Sequence, residues 1–377
     1  MDRSLEKKIS ALVKDIYRLA GGPFNLNSPK QLGQMLFEKL GMSMEGVRKT
    51  PGGAVSTNAE TLQAIRERHP IVPKILSYRE LFKLQSTYVR PLGQLQDAQH
   101  RVHTNYIQTG TSTGRLSSRD PNLQNIPSEG EWAPKVRGVF VADRGYELVS
   151  FDYSQMELRV LASISGDPKM IEAFNNDVDI HRLTAANVFN VPPDKVTPEM
   201  RRLAKVLNFG VVYGMGAVAF SKVSGLSFAD ARKFITEYLE DFAKVREWQE
   251  KTKAETRKRG YVTTLTGRRR WLLHAASLFR GEAAEAERAA INMPVQGLEA
   301  DILKMAMIRV DEEIRKRKWD GKVRMLLTIH DELLFEIKKD MIAEASRVIH
   351  KAMEHVYELE VPIVVAEKKG KNWGVLK

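Results

Sequence analysis

The chain has 377 residues, 43% hydrophobic and 28% charged, a length that calls for two or three subdomains rather than one core. It has no cysteine, which excludes disulfides, thiol catalysis and Cys-ligated zinc or iron–sulfur centres. Fifty-nine Lys and Arg against 47 Asp and Glu leave a net charge of +12, the sign that a polyanion-binding surface requires.

Residues 1–95 read as mostly helical. The start, Met1 to Lys8, has no apolar signal region, and no apolar run approaches membrane-spanning length, so a soluble intracellular protein is expected. Leu5, Ile9, Leu12, Val13, Ile16 and Leu19 recur at helical spacing, and Gly21-Gly22-Pro23 ends that helix. Ser28 before Pro29 opens a second helix, with Leu32, Met35, Leu36 and Leu40 inward and Gly41 closing it. Residues 42–56, with Arg48-Lys49-Thr50-Pro51-Gly52-Gly53, read as a basic loop. Thr57 with Glu60 has the pattern of a capping box before Leu62 and Ile65. The whole segment predicts an arm rather than a compact core.

The next segment, 96–165, predicts two strands, Val136–Val141 and Tyr146–Phe151, joined by Ala142-Asp143-Arg144-Gly145. Residues 166–284 read as helical and polar. The remainder predicts a helix from about Ala289 to Arg317, a hairpin around His330-Asp331, a helix from about Met341 to Leu359 and a strand Ile363–Ala366. The strand-bearing stretches 130–152 and 322–366 are expected to share one sheet.

Two carboxylates stand out. Asp152 ends an apolar strand and precedes a helix, which places it at the carboxyl edge of a sheet. Alone, it reads equally well as a helix cap. Asp331 lies in His330-Asp331-Glu332, a charged turn between apolar strands where Asn-Gly or Asp-Gly is the usual choice. Two such carboxylates can clamp a pair of divalent cations. Between them runs Arg201–Tyr213. At about 100° per residue, Arg201, Lys205, Phe209 and Tyr213 fall at roughly 0°, 40°, 80° and 120°, on one broad face. Cations bind phosphates and an aromatic face stacks on a base or sugar. Thr113–Pro127 and Asn292–Gly297 are dense in side chains that hydrogen-bond sugars, phosphates and groove edges, and each is also compatible with an ordinary hydrogen-bonded loop.

Taken together, these segments resemble family A DNA polymerases of the DNA polymerase I type. Asp152-Tyr153-Ser154-Gln155-Met156-Glu157-Leu158-Arg159 resembles motif A, Arg201 to Gly214 motif B, and His330-Asp331-Glu332 motif C. Thr113–Pro127, Gly260–Arg270, Asn292–Asp301 and Asn372-Trp373 match further family segments, and the likeness runs from near residue 10 to the end.

The resemblance implies an α+β, mixed α/β, right-hand architecture with an antiparallel palm sheet. The thumb would be 1–95, the palm 96–165 and 285–377, and the fingers 166–284. It implies DNA-templated addition of dNTPs to a primer 3′-hydroxyl by a monomer. Two Mg²⁺ ions, with Mn²⁺ as a substitute, would sit on Asp152, Asp331 and the Tyr153 backbone. Arg201, Lys205, His181, Gln155, Glu157, Phe209 and Tyr213 would bind the nucleotide, Lys205 also donating a proton to pyrophosphate. Glu157 would obstruct a 2′-hydroxyl. Arg115, Gln124, Asn125, Gln296 and His330 would contact the primer–template. The implied location is the nucleoid-associated cytoplasm.

Three departures accompany the likeness. The palm strand that usually leads into the first thumb helix is not upstream of Met1, exonuclease domains are expected to be absent, and Gln85 stands where lysine is common. Competing readings are a single-subunit RNA polymerase, which Glu157 and Phe209 oppose, a non-catalytic primer–template binder, and a metal-dependent nuclease.

Overall fold

The computed structural model describes residues 1–45, 47, 49, 53, 55–128 and 130–377. Of the predicted basic loop 42–56, Gly46, Arg48, Thr50, Pro51, Gly52 and Ala54 lie outside the described residues. The chain divides into two compact units, Met1–His103 and Thr104–Lys377.

The first unit is helical. Its opening helix, Asp2–Ala20, stops at Gly21, whose φ of 69° is left-handed and open to glycine without strain. Ser28 caps the next helix by accepting from the Gln31 N–H, and Pro29 supplies its first turn. The predicted capping box is corrected: the cap of Ala59–Ala64 is Asn58, whose side chain accepts from the Thr61 N–H at 2.8 Å. Nor is this segment merely an arm. Ile16, Leu32, Leu36, Leu62, Ile65, Ile71 and Ile75 are fully buried in a core of its own. Each such side chain contributes roughly 1.5–3 kcal/mol on burial. Periodicity showed which residues turn inward on each helix but not that the helices turn inward on one another.

The second unit is built on a four-stranded antiparallel sheet. Across it run Val323–Ile329, Glu332–Lys338, Tyr146–Tyr153 and Val365–Gly370, so the Asp152 strand is central. Alternation sends Val149, Phe151 and Tyr153 to one face, where they are buried, and Ser150 and Asp152 to the other. Phe151 and Phe335 meet edge to face at 5.5 Å, the arrangement favoured by ring quadrupoles. The outer strand carries a register shift between Met325 and Leu327, an extra residue in the pairing. The fold is mixed α/β with an antiparallel sheet, as expected.

Three expectations fail here. Residues 136–141 are not a strand: Ala133–Arg137 is a short helix opened by Pro134, and Val141 makes only an isolated bridge to Asn372. The last strand is Val365–Gly370 rather than 363–366; it is lysine-rich beyond Ala366, which hid it from a reading based on apolar residues. The long helix begins at Arg280, not Ala289, and runs 37 residues through Pro294 to Lys316. The segment 166–284 also contains a hairpin, Tyr261–Thr263 with Arg269–Trp271.

Candidate active site

The sheet register brings the two carboxylates together. Asp152 pairs across the ladder with Glu332, and the Asp331 carbonyl accepts from the Tyr153 N–H at 3.3 Å. His330 and Asp331 form the two-residue turn of the hairpin, and His330 holds a φ of 55°. A left-handed non-glycine residue costs on the order of 1 kcal/mol, so the turn is strained where it presents Asp331. Burial pushes the Asp331 carboxyl well above the usual carboxylate range, and the charges of Asp152 and Glu299 push it further. Burial raises Asp152 as well, against the pull of Lys368 and a hydrogen bond from Asp331. Glu332 is raised by burial and by Asp152. Ser150, Asp152, Glu332, Lys368, Arg137 and Trp373 line a cavity of about 190 Å³ on this face of the sheet.

Next to the pair is a closed polar chain. Arg115 donates through Nη2 to Glu157 Oε1 at 2.7 Å and to Glu299 Oε2 at 2.5 Å. The Tyr213 hydroxyl lies 2.8 Å from both Glu157 oxygens, and Gln296 bonds to the same hydroxyl. Burial, then Glu157, pushes the Tyr213 phenol up to about 12, so it remains a donor at neutral pH. Burial pushes Glu299 up to about 7 against the opposing effect of Arg115. Gly114 makes the approach possible: its φ is 84°, and a Cβ there would lie 2.6 Å from the Arg268 guanidinium. Arg268 in turn grips Asp301 Oδ1 through Nε at 3.0 Å and Nη2 at 2.6 Å.

Beyond the chain, the motif B residues lie along the helix Pro198–Val212, which Thr197 caps and Pro198 opens. Its inner face buries Leu203, Ala204, Leu207 and Asn208. Arg201, Lys205 and Phe209 stay off that face, and Tyr213 is its C-terminal cap. Arg201 Nε donates to Asp179 at 2.7 Å. His181 is buried against Phe209, ring centres 5.8 Å apart. The Thr184 hydroxyl donates to Asn208 Oδ1 at 3.0 Å, which turns the Asn208 amide to donate to His181 Nδ1 at 2.8 Å. The histidine proton is therefore on Nε2. Burial lowers the His181 pKa to about 4, so the ring is a neutral donor.

Of the residues expected at the primer–template, Arg115, Gln124 and His330 share a cleft of about 40 Å³ with Glu299 and Thr328. Gln124 Nε2 donates to the Thr328 carbonyl at 3.0 Å. Asn125 is exposed in a turn, its N–H on Asn122 Oδ1 at 3.2 Å. Gln155, φ 55°, precedes the Glu157 helix and leaves a buried Oε1 without a hydrogen-bond partner.

Comparison with known proteins gives the same site a lineage. The profile for DNA polymerase family A matches residues 1–375. The chain belongs to DNA polymerase family A. It is 47% identical over 371 residues to the thermostable DNA polymerase I of Thermus thermophilus, covering 98% of this chain and 44% of that protein. It is 44% identical over 375 residues to DNA polymerase I of Bacillus subtilis, covering 99% and 42%. The chain thus spans less than half the length of these relatives. Its fold matches the POL domain of Pol1 from M. smegmatis, solved in complex with DNA primer-template and dNTP, with a TM-score of 0.93 and 38% identity, over 99% of this chain and 65% of that one.

The donor set of this family A domain suits a hard divalent cation. Asp152 and Asp331 are two half-buried carboxylates, each raised first by burial, and the charge of Asp152 raises Asp331 further; among the described residues neither forms an ion pair. All the donors are oxygens, as Mg²⁺ prefers. Among the described residues no group of three or more His, Asp or Glu is arranged to hold a metal alone, so water or substrate oxygens would complete the shell. Four residues were missed by the sequence reading. Glu299 lies three residues after Gln296 on the long helix and is buried, whereas Asp301 two residues on is partly exposed. Glu332 has no role assigned from the sequence, Arg137 falls in the expected 136–141 strand, and Asn208 lies within the Arg201–Tyr213 segment without a role of its own.

Proposed function

We propose that this chain is the polymerase domain of a DNA polymerase I, extending a primer 3′-hydroxyl with dNTPs against a DNA template. The observation that carries the reading is the half-buried pair Asp152 and Asp331, together with a helix that offers Arg201, Lys205, Phe209 and Tyr213 along one side. Asp152, Asp331 and the Tyr153 carbonyl would hold two Mg²⁺ ions, for which Mn²⁺ could substitute. When bound, these ions supply an activated 3′-hydroxyl and neutralise the triphosphate and the leaving pyrophosphate.

The remaining roles belong to the chain's own groups. Arg201, Lys205 and the His181 Nε2–H bind the triphosphate, and Lys205 returns a proton to pyrophosphate. Phe209 packs under the sugar and base. Glu157, fixed between Arg115 and Tyr213, obstructs a 2′-hydroxyl. Gln155 offers its unpartnered carbonyl oxygen to the nucleotide. Gln124, Asn125, Gln296 and His330 meet the primer–template end, with Arg115 reaching it from the carboxylate bridge.

Residues 1–95 act as thumb, 166–284 as fingers, and 96–165 with 285–377 as palm. No described helix is long and apolar enough to cross a membrane. We assign the protein to the nucleoid, acting as a monomer. The test is primer extension with Mg²⁺ and either dNTPs or rNTPs. Extension with dNTPs only supports the reading, whereas DNA binding without incorporation sinks it.

A further inference from the structure

Residues 257–281 contain seven Lys or Arg and no Asp or Glu. Their centre folds as the hairpin Tyr261–Thr263 with Arg269–Trp271. The register pairs Tyr261 with Trp271 and Thr263 with Arg269, so strand alternation puts these four on one face and Val262 with Arg270 on the other. Val262 is buried, whereas Trp271 is 60% exposed. The Arg269 guanidinium lies 4.3 Å from the Tyr261 ring centre and 5.6 Å from that of Trp271. The two rings meet edge-on at 5.1 Å.

This face has no evident part in the fold. Trp271 leaves most of its surface in water, and among the described residues Arg269 has no carboxylate partner, nor has Lys258 nearby in the sequence. Phe279, before the long helix, is 74% exposed. Scattered exposed apolar residues are ordinary, but rings held in place by a stacked planar cation in an acid-free basic segment are a prepared surface. Every base offers a π-face and every linkage a negative charge. Such a surface therefore fits a single strand of any sequence. A duplex hides its base faces, and a protein partner would need acids of its own to match these cations.

We propose that the Tyr261–Arg269–Trp271 face binds single-stranded nucleic acid, with a base stacked on Trp271 and the backbone phosphates on Arg269. The inference rests on the polymerase reading only in suggesting that the strand is unpaired template; the binding itself needs neither dNTP nor metal. It is tested by fluorescence anisotropy with a labelled oligothymidylate of about twenty nucleotides, alongside a blunt duplex and a primer–template with a long 5′ overhang. Trp271→Ala and Arg269→Gln should each weaken single-strand binding roughly tenfold, and Trp271→Phe should keep most of it. The advantage of the overhanging substrate over the blunt duplex should shrink in the first two variants. Thermal melting identifies a misfolded Trp271→Ala, in which case Arg269→Gln decides. Unchanged single-strand affinity in the folded variants would overturn the proposal, as would an equal loss on blunt duplex. A parent protein that binds single strands through this face but fails to extend primers would contradict the polymerase reading alone.

Discussion

The hydroxyl of Tyr213, at the end of the motif B helix, lies 2.8 Å from both carboxylate oxygens of Glu157, on the helix that follows the Asp152 strand. The residue assigned to exclude a 2′-hydroxyl is thus held by a second residue that can be altered separately. Glu157→Ala should raise ribonucleotide insertion relative to deoxynucleotide by about two to four orders of magnitude. Tyr213→Phe removes one hydrogen bond to the carboxylate and should raise it by roughly tenfold. Single-nucleotide insertion with both sugars is the measurement. Equal slowing of both sugars by both variants would reduce the pair to a structural contact.

Phe209 offers a ring and no hydroxyl beside His181. Phe209→Tyr should favour dideoxynucleotides, because a phenol oxygen there can stand in for the missing 3′-hydroxyl. Competition between dNTP and ddNTP in primer extension reads the effect. An unchanged ratio would mean that the nucleotide does not lie on this helix.

The two aspartates lie in a half-buried setting, where the charge of Asp152 raises Asp331. In the presence of EDTA, Asp331→Asn should therefore melt higher than the parent, by the equivalent of about 1 kcal/mol. Millimolar MgCl₂ should raise the parent's melting temperature and barely move the variant's, since a ligand that binds only the folded state stabilises it. Primer extension should be lost in Asp152→Ala and Asp331→Ala while DNA binding survives. A variant that still gains stability from Mg²⁺ would place the ions elsewhere.

His181 gives a pH signature. Its folded pKa, about 4, lies below the unfolded value near 6.5, because burial disfavours the charged ring. Between these values the unfolded chain binds the extra proton. The stability contributed is therefore whole above pH 6.5 and is lost as pH falls towards 4, at most about 3 kcal/mol. Urea unfolding at pH 7 and pH 5 should show a smaller difference for His181→Gln than for the parent. Identical differences would mean that the ring is solvated.

Arg115 bridges two buried carboxylates, Glu157 and Glu299. Arg115→Met should destabilise by roughly 3 kcal/mol, because it leaves both acids without a counter-charge. Adding Glu299→Gln should restore part of that. A neutral Arg115→Met would show that water already serves the two acids.

Much of this was legible in the sequence, for identifiable reasons. Asp152, Asp331 and the Arg201–Tyr213 face were readable because a strand end, an odd turn and a helical period are local patterns. The Arg115–Glu157–Tyr213 chain was not, since its members lie far apart in sequence and only the packed helices bring them together. Glu299 escaped because acids on helices are usually solvated. The 136–141 strand was misread because a valine-rich run with a nearby proline suits either a strand edge or a first helical turn. The independent core of residues 1–103 was invisible to periodicity, which marks an inward face without naming what it meets.

The register shift between Met325 and Leu327 has an evolutionary consequence. The strand Val323–Ile329 reaches the His330-Asp331 turn with one residue more than its partner uses, so the position of Asp331 beside the Asp152 strand is a matter of counting. Substitutions along this hairpin change packing and are graded in effect. Deleting a regularly paired residue such as Leu333, which faces Thr328, would change parity instead and carry the following side chains to the opposite face of the sheet. The lineage is therefore free to vary in composition here but is locked in length, and drift in this hairpin should be recorded as exchanges and almost never as gaps.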